Sequence, residues 1–502
     1  MNWLFDRLFA AGAPDALAID AGTGRFTYGD LERETARYAG ALVALGARPG
    51  DRVAVQVEKS AANLILYLAA LRAGVVYLPL NPAYTLAELS YFIGDAEPAV
   101  IVCDPARREG VVAQAGAARV ETLDRDGEGT LTNLARAATG QFETVARGPE
   151  DLAAICYTSG TTGRSKGAML THGALASNGE TLAGIWRFTR DDVLIHALPI
   201  YHVHGLFVAT HVAMMAGAAM ILQPRFDPAE VLGALPRATT LMGVPTFYAR
   251  LLAHDGLTAQ ATRHVRLFVS GSAPLLAGAH RDWQARTGHA ILERYGMTET
   301  GMNASNPFDG PRVAGAVGPP LPGVSVRIVA ETSDEPAEAG TVGQVEVKGP
   351  NVFAGYWRNP EKTADAFTAD GWFRTGDLGL FDDAGYLRLV GRSSDLIITG
   401  GLNVYPAEVE AAIDALPGVI ESAVIGLPHA DLGEAVTAVV VTNAALSEAK
   451  VLKALEERLA RYKQPKRVLF APALPRNAMG KVTKAALRGE HAALFDAAAP
   501  DV

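Results

Sequence analysis

Between Phe26 and Val102 the sequence alternates between two periodicities, and few architectures accommodate that pattern. A helical stretch through LERETARYAGALVALG ends on Gly46 and gives way to the extended run DRVAVQVE. A second helical stretch starts at Ala61 and runs through LILYLAALRAG, followed by the extended VVYLPL. A third, LAELSYFIGDA, leads into AVIVCD. Parallel strands need crossovers of about a dozen residues, usually helical, so this rhythm predicts an α/β fold with a doubly wound parallel sheet. No repeat of solenoid period interrupts it. Residues 104–150 are polar and rich in Gly and Ala, which predicts a peripheral connection. With 502 residues the chain exceeds one ordinary core, so at least two domains are expected.

The chemistry concentrates first at Thr158–Lys166, TSGTTGRSK. Extending to Gly167, ten residues hold three Gly, three Thr, two Ser, one Arg and one Lys. Glycines let backbone N–H groups converge on one anion, hydroxyls add donors and Lys adds charge, which together suit a polyphosphate. The spacing differs from a Walker loop, in which Lys follows the second Gly directly. The apolar LAAICY precedes the loop and GAML follows it, so the loop joins two strands, with Thr171 placed to cap the next helix. A surface turn of the same composition is the alternative reading.

Composition narrows the class. Apolar residues are 49%, charged residues 20% and the net charge is −9, a soluble globular balance that disfavours a nucleic-acid surface. The two cysteines, Cys103 and Cys156, lie in apolar strand-like runs and read as buried, reduced thiols. The N-terminal segment lacks the continuous apolar core of a secretory leader. The most membrane-like stretch, Gly205 to Leu222, carries His211 at its middle and Gly217 as a helix stop, so it reads as a buried helix and strand rather than a span. A cytoplasmic protein is expected.

Further along, HALPIYHVHGLF groups His196, His202 and His204 without an accompanying Cys or carboxylate cluster, so packing or pocket roles outrank a metal site. TTLMGVPTFYARLL places Arg250 about one turn into a helix, where a solvated Arg is the commoner outcome. RLFVSGSAPLL reads as a strand ending in a Gly/Ser turn, and ERYGMTET, GWFRTGDLG and GRSSDLIITGGLNVYPAEVE follow in order. From Arg461 to Arg488 there are eight Lys or Arg and no Asp or Glu, either a polyanion footprint or a solvated face.

Taken together these segments resemble, in order and over essentially the whole chain, the motifs of the acyl-adenylate-forming enzymes, the superfamily of acyl-CoA synthetases, luciferases and peptide-synthetase adenylation domains. The resemblance implies a large N-terminal domain (1–393) of layered sheets and helices that binds ATP and the acyl substrate, and a small mobile α+β domain (394–502). Thr158, Ser159, Gly160, Thr161, Thr162, Gly163 and Lys166 would cradle the phosphates of ATP. Ser272, Ala273 and Pro274 would cover adenine, with Tyr295 stacked on it, and Thr298 would touch phosphate. Glu299, with Thr158, would hold Mg2+. Asp377 would bind the ribose hydroxyls, Arg392 ribose and phosphate, and Lys481, in LPRNAMGKV, the α-phosphate and the substrate carboxylate. His202, Arg250, Ser270, Arg294, Gly296 and Met297 would border the acyl group, Arg294, Gly296 and Met297 lying beside the nucleotide as well. Lys481, Glu299, Thr158 and His202 form the implied catalytic set. Gly400, Gly401, Lys463 and Lys466 would face coenzyme A. The hinge position, usually Asp or Lys in the family, is Ser394 here, a departure that puts a charge-based account of the hinge in doubt.

Two arginines in pocket motifs, Arg250 and Arg294, are similar to features of malonyl-CoA synthetases, where a dicarboxylate brings a second charge that needs a cationic partner. The resemblance therefore implies an ATP-dependent malonate–CoA ligase, tolerant of methylmalonate if one methyl fits. The alternatives are a monocarboxylate or aryl acyl-CoA synthetase, a carrier-protein adenylating enzyme, or a silent nucleotide sensor, although keeping Lys481 and Glu299 argues against silence. Lys481 also resembles a lysine that acetylation silences in relatives, implying an acetyltransferase and deacetylase as partners.

Overall fold

A computed structural model describes residues 1–22, 24–158, 165–330, 335–477 and 481–495. Among these residues the strands form four sheets.

The alternating N-terminal region builds a six-stranded sheet in the order Arg119–Thr122, Val100–Cys103, Arg52–Gln56, Val76–Pro79, Leu152–Thr158, Lys166–Thr171. All neighbours are parallel except the last pair, an antiparallel hairpin in which Thr158 faces Lys166. Helices Tyr28–Ala44, Ala61–Arg72 and Leu86–Ala96 lie between these strands in sequence. Each starts on a hydroxyl: Thr27, Ser60 and Thr85 accept the N–H three residues on. Residues 104–150 depart from the expected peripheral connection. They supply the edge strand Arg119–Thr122 and helices Arg108–Val112 and Thr130–Ala137. This edge strand has no apolar run to mark it: Arg119 is exposed, Val120 and Glu121 are half-buried and only Thr122 is buried.

The second sheet has eight strands: Gly301–Ser305, Leu292–Met297, Leu267–Ser270, Thr240–Gly243, Val193–His196, Ala219–Leu222, Leu17–Asp20 and Arg25–Thr27. Its inner strands are parallel and its two outer pairs antiparallel. Helix Ala61–Arg72 is apolar and buried all round, in a core that also takes residues from both sheets. Tyr67 on this helix is 2.7 Å from Nε2 of His211, so the histidine in the membrane-like stretch is a buried hydrogen-bonding residue. Gly217, at φ 69°, ends that helix before strand Ala219–Leu222. No helix among the described residues is long and apolar enough to cross a membrane.

A four-stranded antiparallel sheet, Ser325–Val329, Gly343–Lys348, Phe373–Phe381, Leu387–Arg392, follows. After the single turn Ser393–Asp395 comes the last sheet, with strands Leu402–Val404, Ile397–Thr399, Gly433–Thr442, Val419–His429 and Arg467–Phe470. Helices Pro406–Asp414, Glu448–Leu455 and Lys484–Glu490 complete this part, which buries cores of its own around Val424, Val436 and Val440, and around Ile425 and Leu487.

Candidate active site

In open α/β sheets ligands bind beyond the carboxyl ends of the parallel strands, and here those ends carry Thr158, His196, Gly243 and Ser270, with Met297–Glu299 leaving the next strand. Glu299 is 6% exposed. Its Oε1 accepts the Tyr356 hydroxyl at 3.1 Å and lies 3.4 Å from the Thr158 hydroxyl. Burial raises its pKa, and the two hydroxyls and Arg392 partly offset that. The Lys166 ammonium sits 4.8 Å from the centre of the Tyr356 ring. Ser159, Gly160, Thr161, Thr162 and Gly163, expected to cradle phosphate, lie outside the described residues.

Asp377 is equally buried. It takes Arg392 Nε on Oδ1 at 2.7 Å and the Tyr295 hydroxyl on Oδ2. Burial raises its pKa against the pull of Arg392. The buried phenol of Tyr295 thus anchors the carboxylate expected to meet ribose. Gly296 follows where no side chain fits, because a Cβ would lie 2.0 Å from the Gly301 carbonyl oxygen. Met297 and Thr298 are half-buried in the turn before Glu299, and Ser272 adopts φ 71° ahead of Ala273 and Pro274.

Lys481, half-buried, carries its cation into the same space. Burial lowers its pKa, Arg392 and Arg294 push the same way, and Asp377 and Glu299 oppose them. His202 feels both Lys481 and Arg294, and burial with these cations holds its pKa at about 3, so the ring is neutral. Its Nδ1 accepts the His204 N–H at 3.3 Å, and His204 Nδ1 stands 3.2 Å from the Ser272 hydroxyl.

Arg294 is 3% exposed and forms no ion pair among the described residues. Its Nε and Nη2, the Ser270 hydroxyl and His204 Nε2 are all buried without a hydrogen-bond partner among those residues. The guanidinium lies against Gly271, whose added Cβ would come within 2.5 Å of its Cζ. Burial depresses the Arg294 pKa to about 9, which still leaves the group charged at neutral pH. A buried, charged fork with unpartnered donors has the geometry to take a carboxylate at two points.

The structure therefore brings together Thr158, Glu299, Asp377, Arg392, Lys481, His202 and Arg294, residues expected on that basis. It does not bring Arg250 into this set: that side chain is exposed on the last turn of helix Pro245–Leu252. Gly400 and Gly401, at φ 56° and 78°, form the two-residue turn between strands Ile397–Thr399 and Leu402–Val404, as a tight hairpin requires. Lys463 is paired with Glu408 at 2.6 Å, and Lys466 is exposed. Ser394 is exposed within the turn Ser393–Asp395, and the next residue, Asp395, pairs with Arg488 at 2.5 Å.

The basic run 461–488 is compensated rather than open. Lys463, Arg467, Arg476, Lys484 and Arg488 pair with Glu408, Glu448, Glu421, Glu410 and Asp395 respectively. A polyanion footprint in this segment thus narrows to Arg461, Lys466 and Lys481. Tyr356 and Lys59 escaped the sequence reading, since a lone Tyr in GYWRNP and a lone Lys before a helix cap carry no distinguishing pattern. Among the described residues no cluster of three or more His, Cys, Asp or Glu side chains could hold a metal, and His196 and His204 have other contacts.

Comparison with known proteins agrees with this geometry. The model of the AMP-binding enzyme family matches residues 7–357, and that of the AMP-binding enzyme C-terminal domain matches 408–481. The chain is 34% identical to malonate–CoA ligase of Arabidopsis thaliana, over 95% of this chain and 87% of that one. It is 37% identical to feruloyl-CoA synthase of Amycolatopsis sp, over 95% and 96%. Among solved structures, ATP-bound MatB from Rhodopseudomonas palustris superposes with a TM-score of 0.97 at 59% identity, covering 99% of this chain and 100% of the other. The apo form of the same protein, at 58% identity and the same coverage, reaches 0.86, so this chain superposes more closely on the ATP-bound form than on the apo form. With a sheet-end site of this composition and a family model covering residues 7–357, the chain belongs to the AMP-binding enzymes.

Proposed function

We propose that the chain joins malonate to coenzyme A at the expense of ATP, through an acyl-adenylate, giving malonyl-CoA, AMP and pyrophosphate, with methylmalonate accepted where one methyl fits. The observation that carries the substrate is Arg294, a buried guanidinium with open Nε and Nη2 donors and no acidic partner among the described residues. A monocarboxylate tail would leave it unpaired, whereas the distal carboxylate of malonate supplies the missing anion. The relatives named malonate–CoA ligase support the same reading.

In the first half-reaction an oxygen of the proximal carboxylate attacks the α-phosphorus and pyrophosphate leaves. Both reactants are anions, so the barrier is largely electrostatic. Lys481 donates where charge develops, Arg392 and Asp377 hold the sugar side, and neutral His202 borders the acyl group without adding a competing charge. Glu299 and Thr158 offer hard oxygen donors suited to Mg2+, which neutralises phosphate charge when bound. In the second half-reaction the thiol of coenzyme A attacks the acyl carbonyl, AMP leaves, and the thiol proton is released.

In this reading the chain divides at Ser394, into 1–393 and 394–502, and the second part turns to bring Gly400 and Gly401 to the thiol path. The closer match to the ATP-bound than to the apo relative supports more than one placement of that part. Lys463 and Lys466 then meet coenzyme A, Lys463 by exchanging its Glu408 partner. Acetylation of Lys481 would remove the charge that adenylation uses, so an acetyltransferase and a deacetylase are fitting partners. A cytoplasmic setting suits the two buried thiols.

The test is product formation with ATP, Mg2+, coenzyme A and, separately, malonate, methylmalonate, succinate, acetate, butyrate and ferulate. Dominant malonyl-CoA supports the assignment, and preference for a monocarboxylate or for ferulate overturns it.

A further inference from the structure

The loop that carries His202 is held by a buried lysine that the reaction does not otherwise use. Lys59 follows strand Arg52–Gln56 of the six-stranded sheet and is 6% exposed, yet it has no carboxylate partner among the described residues. Its ammonium crosses to the end of strand Val193–His196 in the other sheet. There it meets the carbonyl oxygens of His196 at 2.7 Å and Leu198 at 2.8 Å, and His196 Nδ1 at 2.9 Å. On the far side of the ring, His196 Nε2 is 3.0 Å from the carbonyl oxygen of Gly205, which also accepts the Thr210 hydroxyl at 3.0 Å.

The protons follow from the acceptors. A carbonyl only accepts, so Nε2 carries the hydrogen and Nδ1 presents a lone pair. Lys59 then faces two carbonyls and that lone pair, three acceptors for the three N–H bonds of an ammonium. The relay grips both ends of the segment 196–205: His196 and Leu198 at its start, Gly205 at its close. The ends are pressed together, since a Cβ on Gly205 would lie 2.1 Å from the Pro199 carbonyl oxygen. His202 sits inside that closed segment, its carbonyl taking the Leu206 N–H at 2.9 Å.

We infer that Lys59, acting through His196, is a positioning residue that fixes the His202 loop as one wall of the carboxylate pocket, and thereby sets carboxylate affinity rather than ATP affinity. The inference rests on the proposed reading of that loop as pocket wall. No proton transfer is assigned to Lys59, whose hydrogen bonds go to His196 and Leu198.

The test compares wild type with Lys59→Met and, independently, His196→Asn, which leaves Lys59 its two carbonyls and an amide oxygen in the place of Nδ1 but is too short to reach Gly205. Both should raise the KM of the carboxylate by about tenfold or more while the KM of ATP stays within about twofold, the scale expected for a small misplacement of a pocket group. Lys59→Arg, which keeps the charge, should recover part of the loss. Thermal midpoints are recorded alongside. Variants that lose stability while the ratio of the two KM values stays at the wild-type figure make Lys59 a structural residue only and overturn the inference, as does an unchanged KM in both. If Lys59→Met does not fold, His196→Asn and Lys59→Arg decide by the same ratio. The carboxylate used is whichever wild type prefers in the product panel, so a wrong substrate assignment shows in wild type and a wrong positioning role shows only in the variants.

Discussion

Replacing Arg294 by Met removes the buried guanidinium at nearly constant volume. Two of its donors, Nε and Nη2, have no hydrogen-bond partner among the described residues and would face the proposed distal carboxylate. A hydrogen bond to a charged group contributes about 1.5–3 kcal/mol, so losing two costs about 3–6 kcal/mol, and kcat/KM for malonate should fall roughly 150- to 25,000-fold. Propionate, in which a methyl stands in place of the second carboxylate of malonate, makes no such contact, and its kcat/KM should hold or rise once the unpaired cation is gone. The ligand-free protein should melt no lower than wild type, because an unpaired buried charge has been replaced by a well-packed apolar chain. Malonate should also cease to protect the variant against heat. The assay is steady-state thioester formation with both acids at saturating ATP and coenzyme A, with melting curves in parallel. A malonate loss below tenfold, or an equal loss for propionate, would refute the role given to Arg294.

Two further outcomes follow from buried charges. Lys481→Met should slow pyrophosphate release from ATP and malonate by about 10²–10³-fold, while a supplied acyl-adenylate is still converted to the thioester, since in the proposed reading Lys481 serves only the first half-reaction. Equal losses in both steps would remove that division of labour. Glu293, buried beside Arg294 and accepting the Gly315 N–H at 3.1 Å, has its carboxyl raised by burial to about 7. The unfolded chain releases that proton near pH 4.3, so the folded state is favoured below this value, and the advantage is lost as pH rises to about 7, a span of about 3–4 kcal/mol. Glu293→Gln should therefore stabilise the protein at pH 8 and leave it little changed near pH 4, read as denaturation midpoints; a gain equal at both pH values would place the effect elsewhere.

The fold was legible where periodicity and local chemistry coincide. Helices Tyr28–Ala44, Ala61–Arg72 and Leu86–Ala96 alternate with strands that are apolar on both faces, and the hairpin around 158–166 is framed by apolar runs. What was not legible depends on distant partners. Arg250 and Arg294 both stand in pocket-like motifs, yet one is exposed at a helix end and the other sits within a strand covered on both faces, a distinction made by packing rather than by neighbours in sequence. The basic tail looked open because its partners Glu408, Glu410 and Glu421 precede it by more than fifty residues. Lys59 is unreadable for the same reason, its acceptors lying 137 and 139 residues away.

The charges of the site form a set that is incomplete without substrates. Lys481 and Arg294 have their pKa values lowered by burial, and Asp377 and Glu299 have theirs raised, so burial disfavours each of these charges. Three cations, Lys481, Arg392 and Arg294, face two carboxylates, Asp377 and Glu299. ATP and a dicarboxylate add negative charge beside Lys481 and Arg294, where it is lacking. Binding them therefore favours the closed arrangement over any in which Lys481 is withdrawn to water, by the differential affinity of the two states. Once the adenylate has formed, pyrophosphate leaves and takes with it much of the negative charge that held Lys481 in place. In the proposed reading this loss of charge frees the second part of the chain to leave for the thiol step, so the electrostatics of the first half-reaction would set the timing of the second.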